Sequence, residues 1–100
     1  MLMLGEAVTG EQAEDWGMIY KAVDGDKLLE TAREIALRLA NGPTVALTRM
    51  RHLVADGLET SLTDALAREA REQTIVGRTA DHLEGVAAFL DKRKPDFQGL

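Results

Sequence analysis

With 100 residues the chain has room for one domain with a modest core, and its 45% hydrophobic and 29% charged residues are those of a folding chain. A net charge of −5 argues against nucleic acid as a partner, because phosphate binding needs a broad basic face and the only basic run is Lys92-Arg93-Lys94. Cysteine is absent, which excludes a disulfide and a thiolate metal site. The longest apolar run, Val86 to Leu90, is far short of a membrane span, and no secretory leader opens the chain, so a cytoplasmic protein with no membrane partner is expected.

The first residues, Met1-Leu2-Met3-Leu4, are apolar without a polar lead-in, as if an upstream element had been cut through. Thr9 with Gln12 three residues on forms a capping-box pattern, opening a short helix that Gly17 can close. Met18 to Val23 is rich in β-branched and aromatic residues and suits a short extended segment. Asp24-Gly25-Asp26 is a turn, with Asp26 as a candidate N-cap. Leu28, Leu29, Ala32, Ile35, Ala36 and Leu39 then make the strongest helical stripe in the chain.

Gly42 and Pro43 end that helix and start the next. A second stripe, Ala46, Leu47, Met50, Leu53 and Val54, stops near Gly57. Ser61 with Asp64 opens a third long helix, whose apolar side (Leu62, Ala65, Leu66, Ala70) fades around Gln73. Gly77 breaks it, Thr79 caps the last helix, and Pro95 is placed to end that one. Helices are therefore expected near residues 10–16, 27–40, 44–56, 61–76 and 80–92. The fold class is mainly α, with residues 1–23 forming a helix-and-strand segment and 24–100 a helical domain.

The last helix carries two stripes. At about 100° per residue, Leu83, Val86, Ala87 and Leu90 gather on one side as a core stripe. Gly85, Phe89 and Lys92 fall together on another side. A residue without a side chain, an aromatic ring and a cation on one face would seat a flat, anionic group. The alternative is that Phe89 packs on a neighbour while Lys92 to Lys94 complement the helix dipole.

No self-contained active site is legible, and no catalytic residue is expected. The two histidines, His52 and His82, fall in different helices and lack a metal-ligand spacing, so no metal is expected either. No Gly-x-Ser-x-Gly elbow or phosphate loop is present. Glu11, Glu14, Asp15, Glu30 and Glu34 read as solvated helix faces.

The run from Leu4 to Ile19 resembles the segment that closes the catalytic core in the enoyl-CoA hydratase/isomerase (crotonase) family. The following helix, the Gly42-Pro43 break and the terminal pattern of Glu84-Gly85, Ala88-Phe89, Lys92-Arg93, Pro95 and Phe97 follow in that family's order. Asp15-Trp16-Gly17-Met18-Ile19, Gly77-Arg78-Thr79-Ala80-Asp81 and Phe97-Gln98-Gly99 are most similar to its phenylacetate-degrading branch. The resemblance covers essentially the whole chain.

It implies the C-terminal helical, trimer-forming region of the crotonase fold, without the spiral αβ core that carries the oxyanion hole and the catalytic carboxylates. It further implies an acyl-CoA thioester as substrate, no separate cofactor, and a homo-oligomer, either trimer or hexamer. Phe89 and Lys92 would meet the adenine and phosphate end of coenzyme A, while the chain alone would be inactive. The competing expectation is a free-standing helical module that binds a protein partner; the abrupt apolar start favours the first.

Overall fold

The structure, a computed structural model, describes residues 3–100. The expectation attached to Met1 and Leu2 lies outside the described residues. Among these residues there are five α-helices and no strand: α1 (Gly10–Asp15), α2 (Leu28–Ala40), α3 (Thr44–Gly57), α4 (Leu62–Val76) and α5 (Ala80–Leu90). The chain divides into two compact units, one ending at Ile35 and the other running Ala36–Leu100. That division falls inside α2.

In the first unit the local chemistry acts as expected at α1. Thr9 Oγ1 accepts from the Gln12 N–H at 3.2 Å, and Gln12 Oε1 accepts in return from the Thr9 N–H at 3.0 Å. Two of the orphan donors at this helix start are thereby satisfied. At the other end Gly17, at φ +69°, lets the Met18 N–H reach back to the Ala13 carbonyl at 2.8 Å, a Schellman closure.

The extended segment expected over Met18 to Val23 does not form a strand. It bends at 18–20, and its Ala22 N–H donates to Glu14 Oε2 at 2.7 Å, closing the chain back onto α1. β-propensity needs a partner ladder, and none of the described residues supplies one. Asp26 is likewise not the cap of α2; a 3-10 turn at Gly25–Lys27 leads directly into that helix.

In the second unit α3 and α4 pack on one another. Arg49 Nη1 lies 3.1 Å from Glu72 Oε2, and Arg68 Nη1 lies 2.8 Å from Asp56 Oδ2. These pairs are half exposed and contribute about 0–1 kcal/mol each, so they fix register more than they stabilise. Ser61 caps α4 through the Asp64 N–H and Thr79 caps α5 through the His82 N–H, both as the spacing predicts. Pro43 sits at the N-cap of α3, one position before the first helical residue.

The apolar stripes are the main departure from expectation. Ala46, Asp81 and Ala88 are the buried residues among those described. The predicted core stripe of α5 points outward, with Leu83 67% and Leu90 72% exposed and Val86 half exposed. Helical angle explains the reversal. Asp81, Glu84, Gly85 and Ala88 share the opposite side, and that is the side the chain itself covers. Leu28, Leu29 and Leu39 of α2, Met50 and Val54 of α3, and Leu62 and Leu66 of α4 are exposed as well. Amphipathic helices whose apolar stripes lack a partner present a surface built to be covered.

Candidate functional site

What covers the inner side of α5 is the end of the chain. Residues 93–100 leave the helix, turn back along it, and are held by two carboxylates one turn apart. Glu84 takes the first contact: Arg93 donates from Nη1 to Oε1 at 2.6 Å and from Nη2 to Oε2 at 2.9 Å, a bidentate fork. The Asp96 N–H adds a third donor at 2.8 Å. Asp81 takes the second, accepting from the Gln98 N–H at 2.7 Å and the Gly99 N–H at 2.8 Å. Its own N–H donates to the Leu100 carbonyl at 3.1 Å.

Asp81 is only 3% exposed, which its carboxyl group tolerates because both oxygens are hydrogen-bonded and it lies in the first turn of a helix. Gly99, at φ +75°, comes so close to α3 that a Cβ there would stand 2.6 Å from Thr44 Oγ1. The strap therefore needs a glycine at that point.

The Arg93 fork, then the Asp96 N–H, hold the Glu84 carboxyl at a pKa of about 2, and the Arg93 guanidinium is shifted upward in return. A depressed folded-state pKa gives stabilisation that is complete above the ordinary carboxyl value of 4.5 and is lost as pH falls through about 2. The strap at Asp96 should thus stay docked at pH 3.5. Following the Asp96 amide resonance should give a midpoint near pH 2, moving up toward 4.5 in Arg93→Ala. A wild-type midpoint already at 4.5 would contradict the contact.

The helix ends earlier than the sequence suggests. It stops at Leu90, not at residue 92, five residues before Pro95. Asp91 is the C-cap and Lys92 follows in the left-handed conformation, at φ +53°. The Lys92 N–H donates to the Phe89 carbonyl at 3.3 Å and the Arg93 N–H to the Ala88 carbonyl at 3.0 Å. This is a Schellman closure with lysine where glycine is usual, and Lys92 is the non-glycine residue at positive φ among those described.

Of the two sequence-predicted site residues, Phe89 lies in the last turn of α5 and Lys92 two residues past its end. Phe89 is 82% exposed and stands at a groove of about 360 Å³, whose wall also includes Ala46, His82, Val86, Leu90 and Phe97. Lys92 is exposed and is not part of that wall. Gly85, the third member of the predicted face, is not an open seat. It is half-buried, and a Cβ on it would lie 3.6 Å from the Phe97 ring. The aromatic surface near Phe89 is therefore wider than the sequence showed.

His52 is exposed, as expected for a helix-surface residue, while His82 is half-buried and lines the groove. Among the described residues no three His, Asp or Glu side chains come together as a metal cage. None of the described helices is long and apolar enough to cross a membrane. Asp81, Glu84 and Arg93 were not singled out from the sequence as a group. The signal was present as two carboxylates three apart on the face of the helix that lacks large apolar residues.

The sequence profile of the enoyl-CoA hydratase/isomerase family matches residues 1–100. Two Escherichia coli (strain K12) proteins are similar over 99 residues: 1,2-epoxyphenylacetyl-CoA isomerase at 39% identity and 2,3-dehydroadipyl-CoA hydratase at 34%. The matches cover 99% of this chain but only 38% and 39% of those proteins, so the chain spans little more than a third of their length. An enoyl-CoA hydratase/isomerase from Mycobacterium paratuberculosis superposes with a TM-score of 0.83 at 32% identity, covering 97% of this chain and 38% of the other. An enoyl-CoA hydratase from Polaromonas sp. JS666 superposes with a TM-score of 0.89 at 27% identity, covering 96% and 37%. With a match across every residue and a helical fold shared with solved members, the chain belongs to the enoyl-CoA hydratase/isomerase family.

Proposed function

We propose that this chain is the helical region of an acyl-CoA-processing enzyme, where it assembles copies of the protein and holds the adenine and phosphate end of coenzyme A. The relatives support the choice of ligand. One is named an isomerase, another a hydratase and a third a carnitinyl-CoA dehydratase, and what those names share is the CoA thioester rather than the reaction. A region common to different reactions serves the common part of the substrate. The carrying observation is at the end of α5, where an exposed ring at Phe89 is followed three residues later by an exposed cation at Lys92. The ring offers a face to the adenine and the ammonium a charge-assisted contact to a phosphate.

The left-handed backbone of Lys92 points the same way. A side chain at this position costs roughly 1 kcal/mol relative to glycine, and a use for the lysine's charge would offset that cost. The outward apolar stripe of α5 supports assembly, with the partner a further copy of the chain in a trimer or hexamer. Remote binding of this kind serves catalysis by positioning a thioester whose reacting carbon lies elsewhere.

In the protein at its relatives' full length, Lys92→Ala should raise the apparent KM for CoA thioesters about two- to tenfold, the effect of an exposed contact of about 0.5–1.5 kcal/mol. The loss should shrink at high salt and vanish with a pantetheine thioester, which lacks the adenosine phosphate. Lys92→Gly should bind as weakly as Lys92→Ala yet unfold about 1 kcal/mol later, since only glycine relieves the backbone. Unchanged CoA affinity in both variants across salt concentrations would leave Lys92 as a helix-end charge and overturn the assignment.

A further inference from the structure

We propose that Glu84, acting through Arg93, is a positioning residue that holds Lys92 in its left-handed conformation and so aims the ammonium group at the phosphate. This rests on the proposed function above for the identity of the ligand, but not for the conformation of Lys92.

Nothing in the local sequence stops α5 at Leu90. Asp91, Lys92, Arg93 and Lys94 are all compatible with a helix, no glycine follows Gly85 until Gly99, and the first proline is Pro95. An unassisted helix would run on, and an L-residue would not choose φ +53°. Such a conformation persists only where its surroundings over-determine it. Here two sets of contacts do so. On the helix side are the bonds from the Lys92 and Arg93 N–H groups to the Phe89 and Ala88 carbonyls.

On the strap side are the bidentate Arg93–Glu84 fork and the Asp96 N–H bond to the same carboxylate, continued by Asp81 on Gln98 and Gly99. Glu84 thus ties residues 93 and 96 to a point two turns back along the helix, and Lys92 is the residue through which the chain must reverse. The same reversal lays Phe97 against Gly85, next to Phe89. Cation and strap are therefore linked through one carboxylate on α5.

Glu84→Gln is the informative change, because glutamine keeps the size and one acceptor oxygen but loses the charge and the fork. The full-length protein would carry Glu84→Gln, Lys92→Ala or both, and binding of coenzyme A and of pantetheine would be measured by calorimetry. Lys92 amide and Cα resonances would be read in the same variants that retain the lysine. Glu84→Gln should weaken coenzyme A about two- to tenfold, leave pantetheine unchanged, and move the Lys92 resonances out of the left-handed range. In the Lys92→Ala background the Glu84→Gln loss should disappear, because the proposed route to the ligand, through Lys92, is gone.

A loss that persists undiminished in that background overturns the proposal. So does wild-type affinity in Glu84→Gln when Lys92→Ala itself binds weakly. Should Lys92→Ala bind coenzyme A normally, the functional assignment of Lys92 fails and the resonances alone decide. Lys92 leaving positive φ in Glu84→Gln upholds the positioning role, and Lys92 staying there ends it. Arg93→Ala, which removes the other half of the fork, should reproduce the Lys92 resonance change and guards against an effect of glutamine itself.

Discussion

Asp81→Ala should release the end of the chain from α5. The carboxylate accepts from the Gln98 and Gly99 N–H groups while itself 3% exposed, and bonds to a charged acceptor of this kind contribute about 1.5–3 kcal/mol each. Alanine removes both at once and leaves two donors that find water only by undocking. Even a net loss of about 2 kcal/mol corresponds to roughly a 30-fold change in the docked population. Amide hydrogen exchange at Gln98 and Gly99 should therefore accelerate by at least that factor, while exchange within α3 and α4 stays as it was. Asp81→Asn, which keeps one acceptor oxygen, should lose less. Equal protection in wild type and Asp81→Ala would mean the strap is held by Phe97 and Glu84 alone.

The second large effect concerns the outward face of α5. Leu83, Val86 and Leu90 form a contiguous apolar stripe that the chain leaves open, and covering a leucine contributes about 1.5–3 kcal/mol. The chain in isolation should self-associate through such surface and bind a hydrophobic dye. Leu83→Asp with Leu90→Asp should shift it to monomer in sedimentation and lower dye binding several-fold. Helix content should change little, because both positions are largely exposed within α5. Wild-type chain sedimenting as a monomer at high concentration without dye binding would contradict the assembly role.

Element by element, the sequence was most legible where structure is local. The capping pairs at Thr9, Ser61 and Thr79 and the break at Gly42-Pro43 set helix boundaries within a residue or two. These features depend on hydrogen bonds spanning three residues, which a sequence displays directly. Two kinds of feature were not legible. The strand expected over Met18 to Val23 depends on a distant partner, and the side of α5 that is buried depends on where residues 93–100 go. Periodicity identified Leu83, Val86 and Leu90 as a stripe but not that it points outward.

At the candidate site, helical angle was the ground for pairing Phe89 with Lys92, but α5 ends at Leu90 and Lys92 lies past it in the left-handed conformation, so the angle holds for Phe89 and not for Lys92. The left-handed turn at Lys92 was not legible, since its cause is Glu84 eight positions earlier reaching Arg93. Long-range ion pairs that reverse a chain leave no periodic trace. The closest available sign was the acidic pair Asp81 and Glu84 on a helix face without large apolar residues.

The most direct measurement is a structure of the full-length protein with coenzyme A bound. The account predicts Lys92 Nζ at hydrogen-bond distance, about 2.7–3.0 Å, from a phosphate oxygen, with the Phe89 ring against the adenine and Glu84 still holding Arg93. Coenzyme A bound with its adenosine phosphate away from α5, and Lys92 in solvent with the strap docked, would contradict it.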